Sequence, residues 1–447
     1  MKIASIELYE LRVPLKKPFT RSKKIGTLVD CTPIVCKLIT DDGLVGIGET
    51  NPVMPLTSED AAVVIHVIRE YLAPAVFGAD PRNLHDIHQC MDAATSGWSV
   101  PKAAIDLACY DLLGKSGGLR VADMLGGAVH ERLPVMWTVG MDTPEANAEE
   151  AAAMQRQGFT SLMIKVAAGT VEQDAARVRA IREAVGPDYP LIADANQGWD
   201  VLRAVRFARL VEDCGLALLE QPVPPDDIDG LAEVRRTAGL RLSADESVHT
   251  LAQARHLIEK KAVDVFSIKV IKHGGIRKAH AIMRYAEAHG ILCLMNSNAE
   301  EGVTQAASLQ LGASASNLWP FGHAYRSPLR LTGTYPPSPI ISTTVGCPCR
   351  RNPASASRSS PTCWNASLSA GTPYQKVRPP AYTGSVSARN RRRVMPPTLY
   401  LHMKIRRLSR QISSNRVNGA LVTDTESSTP VQPAVFAMQK HKAAGCG

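Results

Sequence analysis

SLMIKV (161–166), PLIADAN (190–196), LALLEQP (216–222), RLSADES (241–247) and VFSIKV (265–270) decide the fold. Each is a short apolar run of strand length that ends in a polar or charged residue. LPVMWTVG (133–140) precedes the series and ILCLMNSN (291–298) follows it. Between the runs lie amphipathic stretches such as VEQDAARVRAIREAVG (171–186) and IRKAHAIMRYAEAHG (276–290), with apolar residues at helical spacing. Seven uniform β–α repeats without a GxGxxG fingerprint predict an α/β chain with a parallel (β/α) barrel. An open doubly wound sheet is the competing architecture.

Five charged residues sit where these strands end: Lys165, Asp194, Glu220, Asp245 and Lys269. Their spacings of 29, 26, 25 and 24 residues are about one repeat each. In a barrel all five would converge on the C-terminal face, where such folds carry their sites. A single carboxylate at a strand end is more often a cap or a loop hydrogen-bonder. Three on consecutive strands, flanked by lysines inside MIKV and SIKV, are harder to explain that way, because a buried unpaired lysine is costly. Three carboxylates form a hard oxygen donor set suited to Mg²⁺, with Mn²⁺ as a substitute.

Working outward, IASIELYELRV and PIVCKLITDDGLVGIGE alternate like strands and turn at Asp41-Asp42-Gly43. From about 58 the period becomes helical, in SEDAAVVIHVIREYLAPAVFG with Ser58 as cap and in VPKAAIDLACYDLLGKSGG with its glycine stop. The expected domains are an α+β unit over 1–130, a barrel over 131–332 and a basic tail over 333–447. After residue 336, 16 Lys and Arg face two acidic residues, whereas the first 335 residues hold 35 basic and 40 acidic ones. The net +9 therefore belongs to the tail and does not mark the folded part as a nucleic-acid binder. The tail is rich in Ser, Pro, Thr and Arg without periodicity, so disorder is expected. Its abrupt onset reads as a frameshift or a non-native terminus. The pair Cys347-x-Cys349 reads as chance, and the arginines 391–393 lack the interleaved aromatics of a nucleic-acid site. No signal-peptide pattern and no membrane-length apolar run are present, and six cysteines precede residue 336 without CxxC spacing. A cytoplasmic setting follows as the expectation.

As an ordered set, VGIGE, AAIDLACYDLLGK, LMIKVAAG, IADANQGW, LLEQPVPP, SADES, SIKVIKHGGI and EEGVTQAASLQLGAS resembles the motif series of the enolase superfamily, in its muconate lactonizing enzyme subgroup. The resemblance covers about residues 1–332 and implies an α+β capping domain over a (β/α)₇β barrel, a modified TIM barrel. It implies Mg²⁺ on Asp194, Glu220 and Asp245 and a lysine on each face of the substrate, Lys165 and Lys269. It also implies roles near the metal for Asn196 and for Glu300, whose alignment competes with the adjacent Glu301. A homo-oligomer and a small carboxylate substrate are implied, with substrate loops near 15–30 and 51–57.

The implied chemistry is removal of a proton next to a carboxylate through an enediolate, whose charge a divalent cation stabilises. Lysines on both faces give racemisation or epimerisation, as of an N-substituted amino acid or dipeptide, whereas one reacting face gives cycloisomerisation. Dehydration of a hydroxy acid or hydroxyproline is the close competitor. An inactive scaffold or a nucleic-acid-associated protein using the tail is the competitor of another class. Two departures from the family stand out. Met163 occupies the first position of the usual Lys-x-Lys, and nothing past SPLRLTG resembles the segment that returns to complete the cap. Lys272 reads as a solvated loop lysine, with supply of the activating charge that Met163 lacks as the alternative. The basic stretch PLKKPFTRSKKIG reads as a solvated loop, with a preference for an anionic distal group of the substrate as the alternative. His249, His273 and His323 read as satisfied surface or loop residues.

Overall fold

The computed structural model describes residues 1–333 and the short strand Cys347–Pro348. The expectations for the tail, including Cys347-x-Cys349 and the arginine cluster 391–393, lie outside the described residues apart from that strand's backbone.

Strands Ile3–Glu10 (β1), Val13–Thr20 (β2), Thr27–Cys31 (β3), Ile34–Thr40 (β4) and Val45–Thr50 (β5) open the chain. β1, β4 and β5 form an antiparallel sheet in that order, with Thr40–Leu44 closing the expected turn. β2 and β3 form a separate hairpin, so the stretch 15–30, expected as a loop, is largely strand, with Lys16, Lys17, Lys23 and Lys24 exposed on it. The first helix, Ala61–Val67, is capped by Asp60, whose carboxylate accepts from the Val63 N–H, and not by Ser58.

Helix Ser99–Gly117 lies across the sheet and is buried along most of its length. Ala104, Ile105, Ala108 and Leu112 pack into the core of the N-terminal sheet. Ala103, Leu107 and Tyr110 pack into the core of the barrel. The glycines of VGIGE explain how closely it approaches. A Cβ on Gly48 would lie 1.9 Å from the Ala104 carbonyl oxygen, and one on Gly46 would lie 2.3 Å from that of Ala108. Two buried acids lock the helix in place. Asp106 accepts from the Ile276 N–H at 2.6 Å and faces His88 Nε2 at 2.6 Å. Asp111 accepts from the Ile47 N–H at 2.9 Å.

After the two-residue strand Arg132–Leu133 (β6), which pairs with Cys347–Pro348, the parallel strands follow. They are Met136–Val139 (β7), Ser161–Lys165 (β8), Leu191–Asp194 (β9), Leu218–Glu220 (β10), Leu242–Ala244 (β11), Val265–Ile268 (β12) and Leu292–Met295 (β13). They lie side by side in chain order in one seven-stranded sheet, as the repeat spacing predicts. Its two edges are joined through the segment at 318–323. Leu318 bridges to Cys293 of β13, and His323 bridges to Val135 beside β7, both in parallel sense. An eighth, minimal strand thus closes the barrel. Inside it, Met136, Met163, Ile192, Leu218, Val265, Leu294 and Trp319 fill an apolar layer. Among the described residues no helix is long and apolar enough to cross a membrane.

Candidate active site

The apolar layer is the floor on which the charged residues stand. Side chains alternate along a strand, so the residues two beyond Met163, Ile192 and Leu218 point the same way. Those residues are Lys165, Asp194 and Glu220. Strand register sets them level, because Asp194 pairs with Lys165 on one side and with Glu220 on the other. Asp245 and Lys269 follow immediately after β11 and β12. All five are buried.

Their contacts are specific. Lys165 donates from Nζ to Asp194 Oδ2 and, at 2.9 Å, to Asn196 Oδ1. Lys269 donates to Asp245 Oδ2 at 2.5 Å. Lys272 also reaches Asp245, at 2.8 Å to Oδ1 and 2.6 Å to its carbonyl, and is buried. The solvated reading of Lys272 is therefore wrong. The helical turn after β12 folds this lysine back onto the strand ends, where three oxygens, including the Ser267 carbonyl, take its three protons.

Glu220 stands between two acids. Its Oε1 accepts from Asn296 Nδ2 at 2.9 Å, and its buried Oε2 has no partner. Burial first, and then the charges of Asp194 and Asp245, lift its carboxyl well above the usual carboxylate range. For Asp245, burial alone would raise the carboxyl, but Lys269 and Lys272 more than reverse it and hold it below the usual range. Asn196 adopts a left-handed backbone at φ 42°, donates from its N–H to Asp194 Oδ1 at 2.9 Å and from Nδ2 to Glu246 Oε1 at 3.2 Å. Glu246, beside Asp245, is pushed up to about 7 by burial and by the neighbouring Asp245 and Asp194.

Glu300 is buried but turned onto its own loop. It accepts from Ser297 Oγ, the Asn298 N–H and Gln305 Nε2, and makes no hydrogen bond to the three acids. The adjacent Glu301 N–H and the Thr304 N–H donate instead to Glu49 at the end of β5. His273 and His323 are buried rather than surface residues. His273 Nδ1 meets the His249 carbonyl, and His323 Nδ1 accepts from the Met295 N–H at 3.1 Å. Met163 lies in the apolar floor at 1% exposure.

Among the described residues no three His, Cys, Asp or Glu side chains stand close enough together to hold a metal ion as they are. Two of the acids are instead turned onto lysines. The donor set still fits a divalent cation. Three carboxylates end adjacent strands or follow directly after them, and the middle one keeps a buried, unpartnered oxygen.

Lys165, Asp194, Asp245 and Lys269 line one cavity, together with Asn296 and Arg326, which carry no expectation from the sequence, and with Arg21, from the basic stretch read as a solvated loop. A wider cleft of about 880 Å³ reaches Asp245 and Lys269 from the side of Trp98, Lys102 and His249. Asn296 could have been suspected from its place after β13. Arg21 and Arg326 carry no periodic signal, since only tertiary folding brings them together.

The chain matches the family described as mandelate racemase / muconate lactonizing enzyme, N-terminal domain, over residues 4–126, and enolase C-terminal domain-like over residues 146–341. It is 36% identical to the N-succinyl-L-Arg/Lys racemase of Bacillus cereus over 315 residues, covering 70% of this chain and 85% of that one. It is 34% identical to a chloromuconate cycloisomerase of Delftia acidovorans over 325 residues, 72% of this chain and 87% of that one. The crystal structure of a dipeptide epimerase from Enterococcus faecalis, complexed with Mg and the dipeptide L-Leu-L-Tyr, superposes with a TM-score of 0.73 at 33% identity, covering 78% of this chain and 97% of that one. Known relatives thus include racemases, epimerases and cycloisomerases, and this chain is an isomerase of the muconate lactonizing enzyme subgroup of the enolase superfamily.

Proposed function

We propose that the chain racemises or epimerises an N-substituted amino acid or dipeptide by moving the proton on the carbon next to a carboxylate. The observation that carries this reading is the placement of Lys165 and Lys269. Lys165 ends β8 and Lys269 follows β12, four places apart in a ring closed by an eighth segment, so they face one another across the same cavity. Two amines on opposite sides of one carbon can exchange roles. One takes the proton from one face while the other returns a proton to the opposite face, which inverts the centre.

Asp194, Glu220 and Asp245 are the side chains that would hold Mg²⁺. When bound, the cation supplies charge stabilisation to the carboxylate as its α-carbon becomes enediolate-like. Asn196 steadies Asp194 and Lys165, and Asn296 steadies Glu220. The N-terminal sheet with its hairpin, up to about residue 130, acts as the cap over residues 131–332. The six free cysteines of the described part suit a reducing compartment such as the cytoplasm.

The test is α-proton exchange in D₂O, followed by NMR on each enantiomer. The expected result is deuterium incorporation from both enantiomers with no substituent lost. In Lys165→Met and Lys269→Met, each variant should exchange a different single enantiomer and racemise neither. Exchange from both enantiomers in either variant, or release of a keto product by the parent, refutes the reading.

A further inference from the structure

Lys165 and Lys269 are held in place by different means. Lys269 is fixed by the turn that follows it, where the His273 N–H donates to its carbonyl at 3.3 Å. Lys165 ends β8, and its carbonyl accepts at 2.8 Å from Nη2 of Arg177, a residue of helix Val171–Val185. The same nitrogen donates to the Gly140 carbonyl, just past β7, at 3.0 Å. Arg177 Nε reaches Asn147 Oδ1 on helix Pro144–Arg156 at 2.8 Å. Its Nη1 reaches Met141 Sδ at 2.9 Å and Asp174 Oδ1 at 3.2 Å. Every guanidinium proton is thereby taken. Asp174 completes the arrangement, because its Oδ2 accepts from the Ala167 N–H at 2.8 Å. The pair grips the backbone on both sides of Val166, by the carbonyl of Lys165 and the amide of Ala167.

The gripped segment takes a course that needs holding. Ala167 has φ 69°, a left-handed backbone that costs a residue with a Cβ about 1 kcal/mol or more. This turn sets Ala167 against Gly198, where an added Cβ would lie 2.4 Å from the Ala167 Cβ. Gly198 closes the turn that carries Asn196, whose Oδ1 accepts from the Lys165 amine. Backbone course and amine direction are thus linked through one packed corner. Arg177 is 6% exposed and Asp174 1%, and neither lines the cavity or the wider cleft. Burial lowers the Arg177 guanidinium and raises the Asp174 carboxyl from their ordinary values, so it opposes both charges. A buried pair of this kind is a weak source of stability, since apolar side chains of similar volume often serve as well.

We propose that Arg177 and Asp174 are positioning residues for Lys165, fixing the end of β8 so that its amine is aimed at one face of the substrate. The assignment rests on the two-faced proton transfer for its catalytic consequence. Because Lys269 is held by its own turn, losing the clamp disturbs one face and spares the other.

The experiment compares the parent chain with Arg177→Lys and Arg177→Met in two measurements. The first is α-deuterium exchange with Mg²⁺, over a panel of N-acyl amino acids and dipeptides in both configurations at the reacting carbon. The second is competitive acetylation of lysines by acetic anhydride, read by mass spectrometry as the ratio of Lys165 to Lys269 labelling. Arg177→Lys keeps a positive charge beside Asp174 and loses the fork that spans the two carbonyls. In this variant, exchange from the enantiomer silenced by Lys165→Met should fall roughly 100-fold, the effect of a displacement of about 1 Å, and exchange from the other should change by less than about threefold. Labelling of Lys165 relative to Lys269 should rise several-fold. Arg177→Met, which also strands the Asp174 carboxylate, should shift both readouts the same way, and if it does not fold Arg177→Lys decides alone. A purely structural arginine would lower both enantiomers by the same factor, that of the folded fraction, and leave the labelling ratio where it is. Equal losses from both enantiomers, or an unchanged labelling ratio in folded Arg177→Lys, overturns the proposal. A parent that exchanges neither configuration refutes the reaction, and the labelling ratio then decides the clamp by itself, so the two failures are distinguishable.

Discussion

Replacing Gly48 by alanine tests the packing that joins the two cores. The added Cβ would meet only backbone: the Ala104 carbonyl oxygen at 1.9 Å, the Ala108 nitrogen at 2.9 Å and the Ala104 carbonyl carbon at 3.0 Å. No side chain can swing aside to relieve this. To restore ordinary contact of about 3.4 Å, helix Ser99–Gly117 must move from β5 by about 1.5 Å. That helix carries Asp106 and Asp111, whose bonds to Ile276 and Ile47 fix its middle, so the displacement strains both. Overpacking of this kind costs about 3 kcal/mol or more. At ~2 °C per kcal/mol for a chain of this size, the thermal midpoint should fall by about 6 °C or more. Gly117→Ala is the control. Its Cβ would meet only Leu119 side-chain atoms, at 3.7 Å, so lower unfolded-chain entropy should leave it neutral or slightly stabilised. Thermal unfolding by circular dichroism decides between these. A Gly48→Ala midpoint within 1 °C of the parent, or no lower than that of Gly117→Ala, would refute the reasoning.

Two further outcomes follow from other parts of the molecule. Burial pushes His323 down to about 3 from its ordinary 6.5, and its Nδ1 serves as acceptor to Met295. The folded pKa is depressed, so the stability contributed is full above pH 6.5 and is lost as pH falls toward 3. The loss should approach ~1.4 kcal/mol per pH unit within that window, and His323→Asn should flatten the denaturant midpoint against pH. Asn296 holds Glu220 Oε1, so Asn296→Ala should weaken the apparent Mg²⁺ affinity roughly 10–100-fold in a metal titration of activity. Chelation should abolish activity in both proteins, and added Mg²⁺ should restore it only at the higher level in the variant.

What could be read from the sequence was whatever repeats. The seven apolar runs recur with one period, so their order in the sheet and the convergence of their final residues follow from chain geometry. VGIGE was readable as strand, but the reason for its glycines lies in a helix more than fifty residues later. The failures share one cause. Lys272, Arg21 and His323 sit in polar or mixed surroundings in the sequence, and their burial depends on neighbours from other elements. The cap of the first helix was misplaced by two residues because Ser58 and Asp60 are both good caps, and hydrogen-bond geometry alone separates them. Met163 interrupts a motif in one dimension, yet in three dimensions it completes an apolar layer.

Helix Ser99–Gly117, packed on both cores and tied through Asp106 to the start of helix Ile276–Ala288, has a consequence for motion. A sheet fastened in this way cannot swing over the barrel as a rigid lid. The β2–β3 hairpin is fastened separately, through Lys24 to Gln197, Lys16 to the Leu329 carbonyl, the bridge from Leu15 to Leu331 and the small buried cluster of Leu15, Phe19, Cys31 and Leu331. A wall of the cavity, with Leu15, Phe19, Arg21 and Leu28, is thereby held by other contacts than those that join the two cores. Substitutions in the hairpin can reshape that wall without loosening the helix that joins the two cores.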